Sequence, residues 1–317
     1  MSGDLRKEST TKEQLWDWYW NQGLSTPAIA RLSGRSHSTI GYWMAKHRIP
    51  VRPLQKYPRA PFGGKICEKA YLIGLRLGDL HARREGQTIV VDTTSTHPAM
   101  LELFRACFER YGKVREFPCY NKQTRKYYWV TRTSLDLSFL FLVKKHITFP
   151  LWITNRRKVF MSFLAGFFDA EGSMSVVFRA RKRRRNVAEP SLSISNTNKT
   201  LLQTIASKLK DYHPSLTVGQ KGGTVTSVGG TIRRHDQWKL AFYRRASIRY
   251  LIENLPIRHS EKIRKSRLVT EVLRRCDWDK QKLMFRELKK EIGNEVSALA
   301  MRAALSLDKN DGTAGSE

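Results

Sequence analysis

The sequence predicts an α+β protein: two pseudo-symmetric αββαββα halves with antiparallel sheets, preceded by a small all-α domain. Two observations lead to this fold class. The apolar run of residues 163–172 has the same pattern as an earlier run, residues 71–80. Each run carries small residues followed by a carboxylate. Downstream of each run, helical patterns and alternating strand patterns recur in one order, which is typical of helices layered on one face of an antiparallel sheet.

Each of the two runs predicts a helix, over about 68–79 and about 159–171. Small residues four positions apart lie on one helix face and allow two backbones to approach closely. We therefore expect the two helices to cross there and to bring Asp79 and Glu171 close together. The small residues are Gly74 and Gly78 in the first run and Gly166 and Ala170 in the second.

The composition indicates a polyanionic partner. Lys and Arg number 58 against 28 Asp and Glu, giving a net charge of +30 and a pI near 10.3. A ribosomal or membrane-surface protein is the alternative, but the basic residues are interleaved with aromatic ones through segments with folding patterns, which favours nucleic acid. No apolar run reaches transmembrane length. The four scattered cysteines indicate free thiols in a reducing compartment: the cytoplasm with the nucleoid, or the nucleus or an organelle of a eukaryotic host.

Residues 1–50 predict three short helices. Ser25 or Thr26 can cap the second helix, with Pro27 in its first turn, and the third spans residues 36–47. The tight Gly turn before the third helix resembles a helix-turn-helix module, in which the second helix braces the third. Four side chains of the third helix would then read base edges and phosphates: Ser36, Ser38, Thr39 and Tyr42. A three-helix bundle for protein contact is the alternative.

The remaining chain divides into a basic linker (51–65), a first half (66–152), a second half (153–275) and a C-terminal helix with a disordered tail (276–317). Asp79 corresponds to Glu171 at an offset of 92, and Thr96 to Thr197 at an offset of 101. Further on, an offset of 113 pairs Lys126 with Lys239 and Arg132 with Arg245. The growing offset indicates insertions in two surface hairpins of the second half, which folds tolerate.

Residues 164–172 (LAGFFDAEG) closely resemble the LAGLIDADG motif of homing endonucleases, and residues 72–80 are a looser copy. The resemblance covers about 65–275. It implies a pseudo-symmetric monomer whose motif helices pack at its centre, with Asp79 and Glu171 as the catalytic acids and ligands of Mg²⁺. It also implies that each sheet lies in the major groove. Asp169 is excluded by its place on another helix face. Leu80 stands where the family usually has Gly, and Arg76 fits the motif if it faces outward.

The resemblance also suggests a basic residue that polarises the attacking water or the scissile phosphate. Lys126 and Lys239 are the candidates for this role, with Arg132 and Arg245 as competitors, and a phosphate contact on the sheet face is the alternative. A basic run after the second motif predicts a hairpin tip on the phosphates, or else a nuclear-import signal. Its DNA-binding candidates are Arg181, Arg183, Arg184 and Arg185.

Two carboxylates at helix C-termini face the negative ends of the helix dipoles and repel each other, so they stabilise nothing by themselves. A hard divalent cation between them would make the arrangement favourable. Together with the resemblance, this chemistry implies a monomeric, Mg²⁺-dependent, site-specific endonuclease that makes staggered cuts in a long, asymmetric double-stranded DNA target. Two alternatives keep the basic face without cleavage: a DNA-binding regulator and a maturase that binds intron RNA.

Overall fold

The computed structural model describes residues 10–51, 57–144, 150–180, 186–225, 234–274 and 277–312, with side chains up to residue 307. The chain forms two compact units, Met1–Tyr57 and Pro58–Glu317. Across these described ranges no helix combines the length and apolarity needed to span a bilayer.

The first unit consists of three short helices around a small core. A capping box at Thr11 starts the first helix, and the hydroxyls of Ser25 and Ser36 cap the other two. Gly34 adopts a φ of +63° in the turn before the third helix, a conformation that favours glycine. The core contains Leu15, Ile29, Ile40 and Met44. The helices are α1 (Lys12–Trp16, continued by a π-helical turn, Asp17–Asn21), α2 (Thr26–Leu32) and α3 (His37–Lys46).

The second unit contains the two predicted halves. Both begin αββαββ; the second ends in a regular helix, whereas a 3-10 segment replaces the last helix of the first. The first half has α4 (Ile66–Leu77), β1 (His81–Glu85), β2 (Thr88–Ser95), α5 (Pro98–Phe108), β3 (Arg115–Asn121), β4 (Lys126–Leu135) and the 3-10 segment Leu137–Leu142. The short helix α6 (Leu151–Thr154) leads to α7 (Arg157–Glu171), β5 (Gly172–Arg179), β6 (Val187–Asn196), α8 (Lys199–Lys208), β7 (Ser215–Gln220), β8 (Gln237–Phe242) and α9 (Arg245–Asn254).

Each half forms a four-stranded antiparallel sheet, in the order β1-β2-β4-β3 and β5-β6-β8-β7. Successive side chains of a strand point to opposite faces of the sheet. One face packs against helices, as the buried Ile89, Val91 and Leu135 do in the first half. The other face carries the polar alternates, among them Asp92 and Arg132. The predicted layering of helices on one face of each sheet is therefore confirmed.

Strand register tests the predicted equivalences between the halves. His81 pairs with Asp92 across β1 and β2, and Ser173 pairs with Ser193 across β5 and β6. The first members of the two pairs, His81 and Ser173, lie 92 positions apart in the sequence. The second members, Asp92 and Ser193, lie 101 positions apart. Both predicted offsets are confirmed. Asp79 and Glu171, each two residues before the first member of its pair, therefore occupy equivalent positions in the two halves.

The predicted offset of 113 is wrong. Asp92 pairs with Arg132, whereas its counterpart Ser193 pairs with Ala241, an offset of 109. Lys126 and Lys239 therefore do not occupy equal places. Lys126 begins β4 beside the β3–β4 hairpin turn, where it pairs with Asn121, while Lys239 lies inside β8.

Arg132 and Arg245 are not equivalent either. Arg132 lies within β4, but Arg245 is the first residue of α9. Similar alternations of basic and aromatic residues in the two segments produced the wrong alignment. Backbone pairing, which decides the register, leaves no direct trace in those residue types.

Part of the predicted linker belongs to the first half. Phe62 packs against Tyr111, Phe139 and Phe141, and its N–H donates to Ser138 Oγ at 2.8 Å. Residues 58–65 form no regular element, as the prolines and glycines predict. This segment is anchored by its aromatic side chain and is not an extended tether.

Two helices follow the second half, α10 (Ser260–Leu273) and α11 (Trp278–Gly312). Helix α11 continues to Gly312, well into the segment for which the sequence predicts a C-terminal helix with a disordered tail. Near its start, Trp278 donates to the Val187 carbonyl of β6. Near its end, Leu299 and Ala303 pack on Trp129 of β4. One helix thus contacts the sheets of both halves.

Candidate active site at the crossing of the motif helices

Helices α4 and α7 cross with their backbones in direct contact. A Cβ on Gly74 would overlap the Phe163 carbonyl oxygen, and one on Gly166 would overlap the Tyr71 carbonyl oxygen. Only glycine allows this approach. The close crossing that the small-residue spacing predicts is therefore present.

The crossing brings the residue before Asp79 against the side chain of Glu171. A Cβ on Gly78 would overlap that of Ala170 and would lie 2.9 Å from Cγ and 3.5 Å from the carboxyl carbon of Glu171. Asp79 is the next residue. The turn that carries Asp79 thus lies against the Glu171 side chain, and both carboxylates are close enough to Lys262 to act on its charge.

The two helix exits are unequal. Helix α7 extends through Glu171 and continues directly into β5 at Gly172. Helix α4 ends at Leu77, two residues earlier than predicted, and Gly78 leaves the helix with φ −101° and ψ −95°. Asp79 therefore lies in a turn, not in the helix. Leu80, the departure from the motif, is 3% exposed and packs into the core.

Arg76 holds the first exit in place. Its side chain is buried, so the outward orientation on which its fit to the motif was conditional is not found. Nε donates to the Leu142 carbonyl at 2.9 Å and Nη1 to the Leu80 carbonyl at 2.8 Å. Thr93 Oγ1 donates to the carbonyl of Asp79 itself at 3.0 Å. Two side-chain donors thus fix the turn that carries Asp79.

Lys262 of α10 is a candidate that the sequence did not indicate. Its Nζ donates to the carbonyls of Phe168, Asp169 and Ala170 at 2.6, 2.5 and 3.1 Å. A cation at these carbonyls is favourable because they form the negative end of the α7 dipole. Burial lowers the pKa of Lys262 to about 8, against the opposing attraction of three carboxylates that include Asp79 and Glu171.

The two acids have different surroundings. Asp79 reaches solvent, yet the protein atoms packed around it raise the pKa of its carboxyl, while the Lys262 ammonium acts in the opposite direction. Glu171 is half-buried, and its Oε1 accepts a hydrogen bond from Asn196 Nδ2 at 3.0 Å. The Glu171 carboxylate is therefore oriented by Asn196 of its own half.

Asp169 has a structural environment. It is fully buried, and its Oδ2 accepts hydrogen bonds from the Tyr71 hydroxyl at 2.6 Å and the Arg258 N–H at 2.7 Å. Burial raises the pKa of its carboxyl. This bond network joins α4, α7 and the segment before α10, and it directs Asp169 away from the surface.

The donor chemistry of the acid pair fits a hard divalent cation. Mg²⁺ prefers carboxylate, phosphate and water oxygens, and it is usually held by one or two carboxylates together with substrate phosphates. Among the residues that the structure describes, no group of three or more His, Cys, Asp and Glu side chains forms a closed metal cage. Asp79 and Glu171 are the residues that could hold such an ion, with room for oxygens from elsewhere.

The predicted basic residues are dispersed. Lys126 is exposed beside a hairpin turn, and Lys239 is half-buried on the open sheet face, in one row with Ser195 and Thr217. Arg132 Nε lies 3.5 Å from Asp92 Oδ2 on the other open face. Arg245 Nη2 donates to the Val272 carbonyl and so joins α9 to α10. Arg181, Arg183, Arg184 and Arg185 lie outside the described residues.

The third helix of the first unit presents a mixed surface. Ser36 Oγ accepts the Thr39 N–H at 3.1 Å and lies 2.8 and 2.7 Å from the hydroxyls of Ser38 and Thr39. The Ser36 hydroxyl is thus used to start the helix. Tyr42, in contrast, is 62% exposed.

Comparisons with known proteins find partial relatives. No family model matches the chain. A curated relative, the uncharacterized protein MJ0314 of Methanocaldococcus jannaschii, is 27% identical over 156 residues, with 44% of this chain and 52% of the relative covered. The chain therefore spans about half the length of the curated relative it matches.

Three solved structures with similar chain paths are DNA complexes of endonucleases. The LAGLIDADG meganuclease I-AabMI bound to uncleaved DNA has 10% identity and a TM-score of 0.42, covering 73% of this chain and 97% of its own. The LAGLIDADG homing endonuclease I-GzeII with its DNA target has 11% identity and a TM-score of 0.39, covering 72% of this chain and 96% of its own. I-SmaMI bound to uncleaved DNA in the presence of calcium ions has 9% identity and a TM-score of 0.39, covering 73% of this chain and 97% of its own. At these levels no residue of this chain is matched to a residue of theirs.

Proposed function

We propose that this chain is a monomeric, metal-dependent, site-specific DNA endonuclease of the LAGLIDADG type. The observation that carries the proposal is that Asp79 and Glu171 come together around Lys262 at the close crossing of α4 and α7. One ammonium leaves these two carboxylates with a net negative charge, which a hard divalent cation would neutralise. Each acid lies within two residues of the first strand of a sheet whose open face carries polar side chains, which suits a phosphodiester backbone. The DNA that the solved structures contain favours double-stranded DNA over intron RNA as the partner.

The reaction would be hydrolysis of one phosphodiester in each strand. A water oxygen bonds to phosphorus, the bond from phosphorus to the 3′ oxygen breaks, and that oxygen takes up a proton. A bound Mg²⁺ would supply activation of the water and charge neutralisation on the leaving oxygen. Asp79 and Glu171 would hold the ion, and the helix crossing would fix the distance between them and hence the stagger of the cuts.

The residues around the acids would provide orientation and charge. Arg76 and Thr93 hold the turn at Asp79, and Asn196 holds the Glu171 carboxylate. Lys262 places a positive charge beside both acids, where developing charge on phosphate oxygens would be stabilised. It therefore replaces Lys126 as the first candidate for the basic residue. Lys239, on the open face of the second sheet, would contact phosphate.

The first unit would extend the contact with DNA as a helix-turn-helix module. The support is its architecture: a capped third helix with an exposed tyrosine after a tight glycine turn. The basic residues of α3 and its neighbours would add phosphate contacts that strengthen binding without reading sequence.

Isosteric changes at the acids test cleavage. A target is first selected by binding from a randomised duplex library and cloned into a plasmid. We expect Asp79→Asn and Glu171→Gln each to abolish linearisation in Mg²⁺ while affinity stays within a few-fold. Glu109→Gln, which removes one exposed carboxylate at the end of α5, is the matched control. Tight binding with no linear product from the unmodified protein would show a DNA-binding regulator instead.

Deletion of residues 1–57 tests the first unit. The second unit keeps its own core, so it should remain folded and cut at the same position. We expect weaker binding and a footprint shorter on one side by roughly one helical turn of DNA. An unchanged footprint in the deletion variant would remove the DNA role of this unit and favour a protein-contact bundle.

A further inference from the structure

The open faces of the two sheets differ in the row of side chains that starts two residues after each acid, at His81 and at Ser173. This row crosses all four strands of the first sheet, and the strand register gives its counterpart in the second. The first row is His81, Asp92, Arg132 and Arg115. The second row is Ser173, Ser193, Ala241 and Ser215. Equivalent rows are therefore charged in one half and small and neutral in the other.

Asp92 is the centre of the charged row. Its side chain is only 14% exposed, and its Oδ2 lies 2.7 Å from Arg83 Nη1 and 3.5 Å from Arg132 Nε. Its Oδ1 lies 4.0 Å from His81 Nδ1. Arg83 also pairs with Glu85, with 2.7 Å between Nε and Oε1. One shielded carboxylate thus accepts a hydrogen bond from one guanidinium group and lies within ion-pair distance of a second, on the face turned toward solvent.

A carboxylate on a surface that binds a polyanion weakens that binding, so its presence calls for a compensating role. Orientation of a neighbouring arginine is such a role, because a long side chain that is already fixed loses less conformational entropy on binding. A guanidinium held at Nε still has donors on both Nη atoms. Arg132 remains 45% exposed, so these donors can reach a partner.

The chemistry that matches a fixed, exposed guanidinium in the major groove is guanine, because its O6 and N7 accept both Nη donors at once. Building on the proposed function, we propose that Asp92 is a positioning residue that holds Arg132 to read a guanine close to the cut, in the half-site bound by the first sheet. At the corresponding position of the other half-site no guanine is required, since Ser193 and Ala241 stand in place of Asp92 and Arg132. The basic residue of that region, Lys239, lies in the adjacent row on the side of Glu171 and carries a point charge instead of a planar guanidinium.

Selection from a randomised duplex library tests this assignment, with Glu171→Gln in every protein so that bound DNA stays uncut. We expect the parent to enrich a guanine at one position near the centre of one half-site. Arg132→Ala and Arg132→Lys should each lower that preference at least about tenfold, because a single bidentate contact accounts for a discrimination of that order. Preferences elsewhere in the site should stay unchanged.

Asp92→Asn gives a signature that a purely structural role would not produce. It should weaken the guanine preference and at the same time strengthen binding to unrelated DNA, since the row gains one net positive charge. The slope of log affinity against log salt concentration should steepen by up to about 0.9. Glu116→Gln is the matched control, because this carboxylate pairs with Arg105 on the helix-covered side of the same sheet. It should leave the guanine preference as in the parent.

The outcomes separate the two proposals. No enriched sequence with the parent would contradict site-specific recognition itself, and the guanine assignment with it. An enriched site that lacks this guanine, or one whose guanine is unaffected by either Arg132 variant, would overturn the assignment alone. If Asp92→Asn fails to fold, as judged by thermal unfolding, the comparison of Arg132→Lys with the parent still decides the matter.

Discussion

Arg76 explains how the first motif can lose its terminal glycine and still present Asp79. Its guanidinium bridges the carbonyls of Leu80 and Leu142, on the two sides of the exit turn. Burying a charged side chain is costly unless it is well hydrogen-bonded, and both bonds go to buried backbone. A leucine that packs into the core and an arginine that holds its carbonyl together replace the conformational freedom of glycine.

Replacing Arg76 with methionine should therefore impair cutting more than binding. Each carbonyl left without its donor costs about 1–3 kcal/mol, and the turn at Asp79 gains freedom. We expect a lower unfolding temperature and a cleavage rate reduced at least about tenfold, with DNA affinity nearly unchanged. Single-turnover cleavage at saturating protein measures this. Arg274→Met, which removes an arginine 65% exposed at the end of α10, should change neither quantity; equal cleavage rates in the two variants would contradict the positioning role.

His259 predicts a pH dependence of stability. Burial lowers its pKa to about 4, with further lowering by Lys262, His97 and Lys265 and an opposing effect of Glu261. An unfolded histidine titrates near 6.5, so between about pH 6.5 and 4 the unfolded chain binds a proton that the folded chain does not. The stability contribution of neutral His259 is thus present above pH 6.5 and is lost as the pH falls, by up to about 1.4 kcal/mol per unit.

Chemical denaturation of the parent and of His259→Asn over pH 4–7.5 isolates this effect. Asp169, whose raised pKa acts in the opposite direction, is present in both proteins and cancels from the difference. We expect the difference in unfolding free energy to change steadily between pH 6.5 and 4. Parallel curves would show that His259 titrates normally in the folded protein.

At the scale of elements, the crossing of α4 and α7 links packing to chemistry. Gly74→Ala would place a methyl group against the Phe163 carbonyl oxygen and the Phe167 nitrogen, and backbone cannot move aside cheaply. We expect destabilisation of about 3 kcal/mol or more, at the upper end for overpacked sites, and loss of cutting because the acids separate. Gly293→Ala is the matched control, since a methyl there meets open space on exposed α11; it should stabilise the protein by up to about 1 kcal/mol. A stable, active Gly74→Ala variant would contradict the close crossing.

The parts of the site that the sequence predicts are those with a local signal. Spacing of small residues predicts the crossing, and the carboxylate after each run predicts Asp79 and Glu171. Lys262 has no such signal: it is one of many basic residues on an amphipathic helix, and its partners lie more than ninety positions away. The predicted offset of 113 was wrong for a similar reason. The alignment of β4 with β8 is set by backbone pairing with neighbouring strands, and residue types do not encode that pairing directly.

At the scale of the whole second unit, α11 acts as a brace across both halves. Trp278 and Phe285 pack on Phe178 of the second sheet, and Arg264 of α10 pairs with Glu291 and Glu295 along the middle of the helix. Further on, the Trp129 indole of the first sheet donates to the Leu299 carbonyl at 3.1 Å. A 35-residue helix is about 52 Å long, enough to connect the two sheets.

Leu299→Ala should accordingly loosen the contact between α11 and the first half. Leu299 is 6% exposed among Leu101, Trp129 and Ala303, and truncation of a buried leucine costs about 2–5 kcal/mol. The control on the same helix is Met301→Ala, whose side chain is 68% exposed and should change stability little. Because the two acids proposed to be catalytic come from different halves, the same variant should also accelerate amide exchange in β4 and reduce the cutting of one DNA strand more than that of the other. Equal stability of the two variants would show that α11 is only an appendage of the second half.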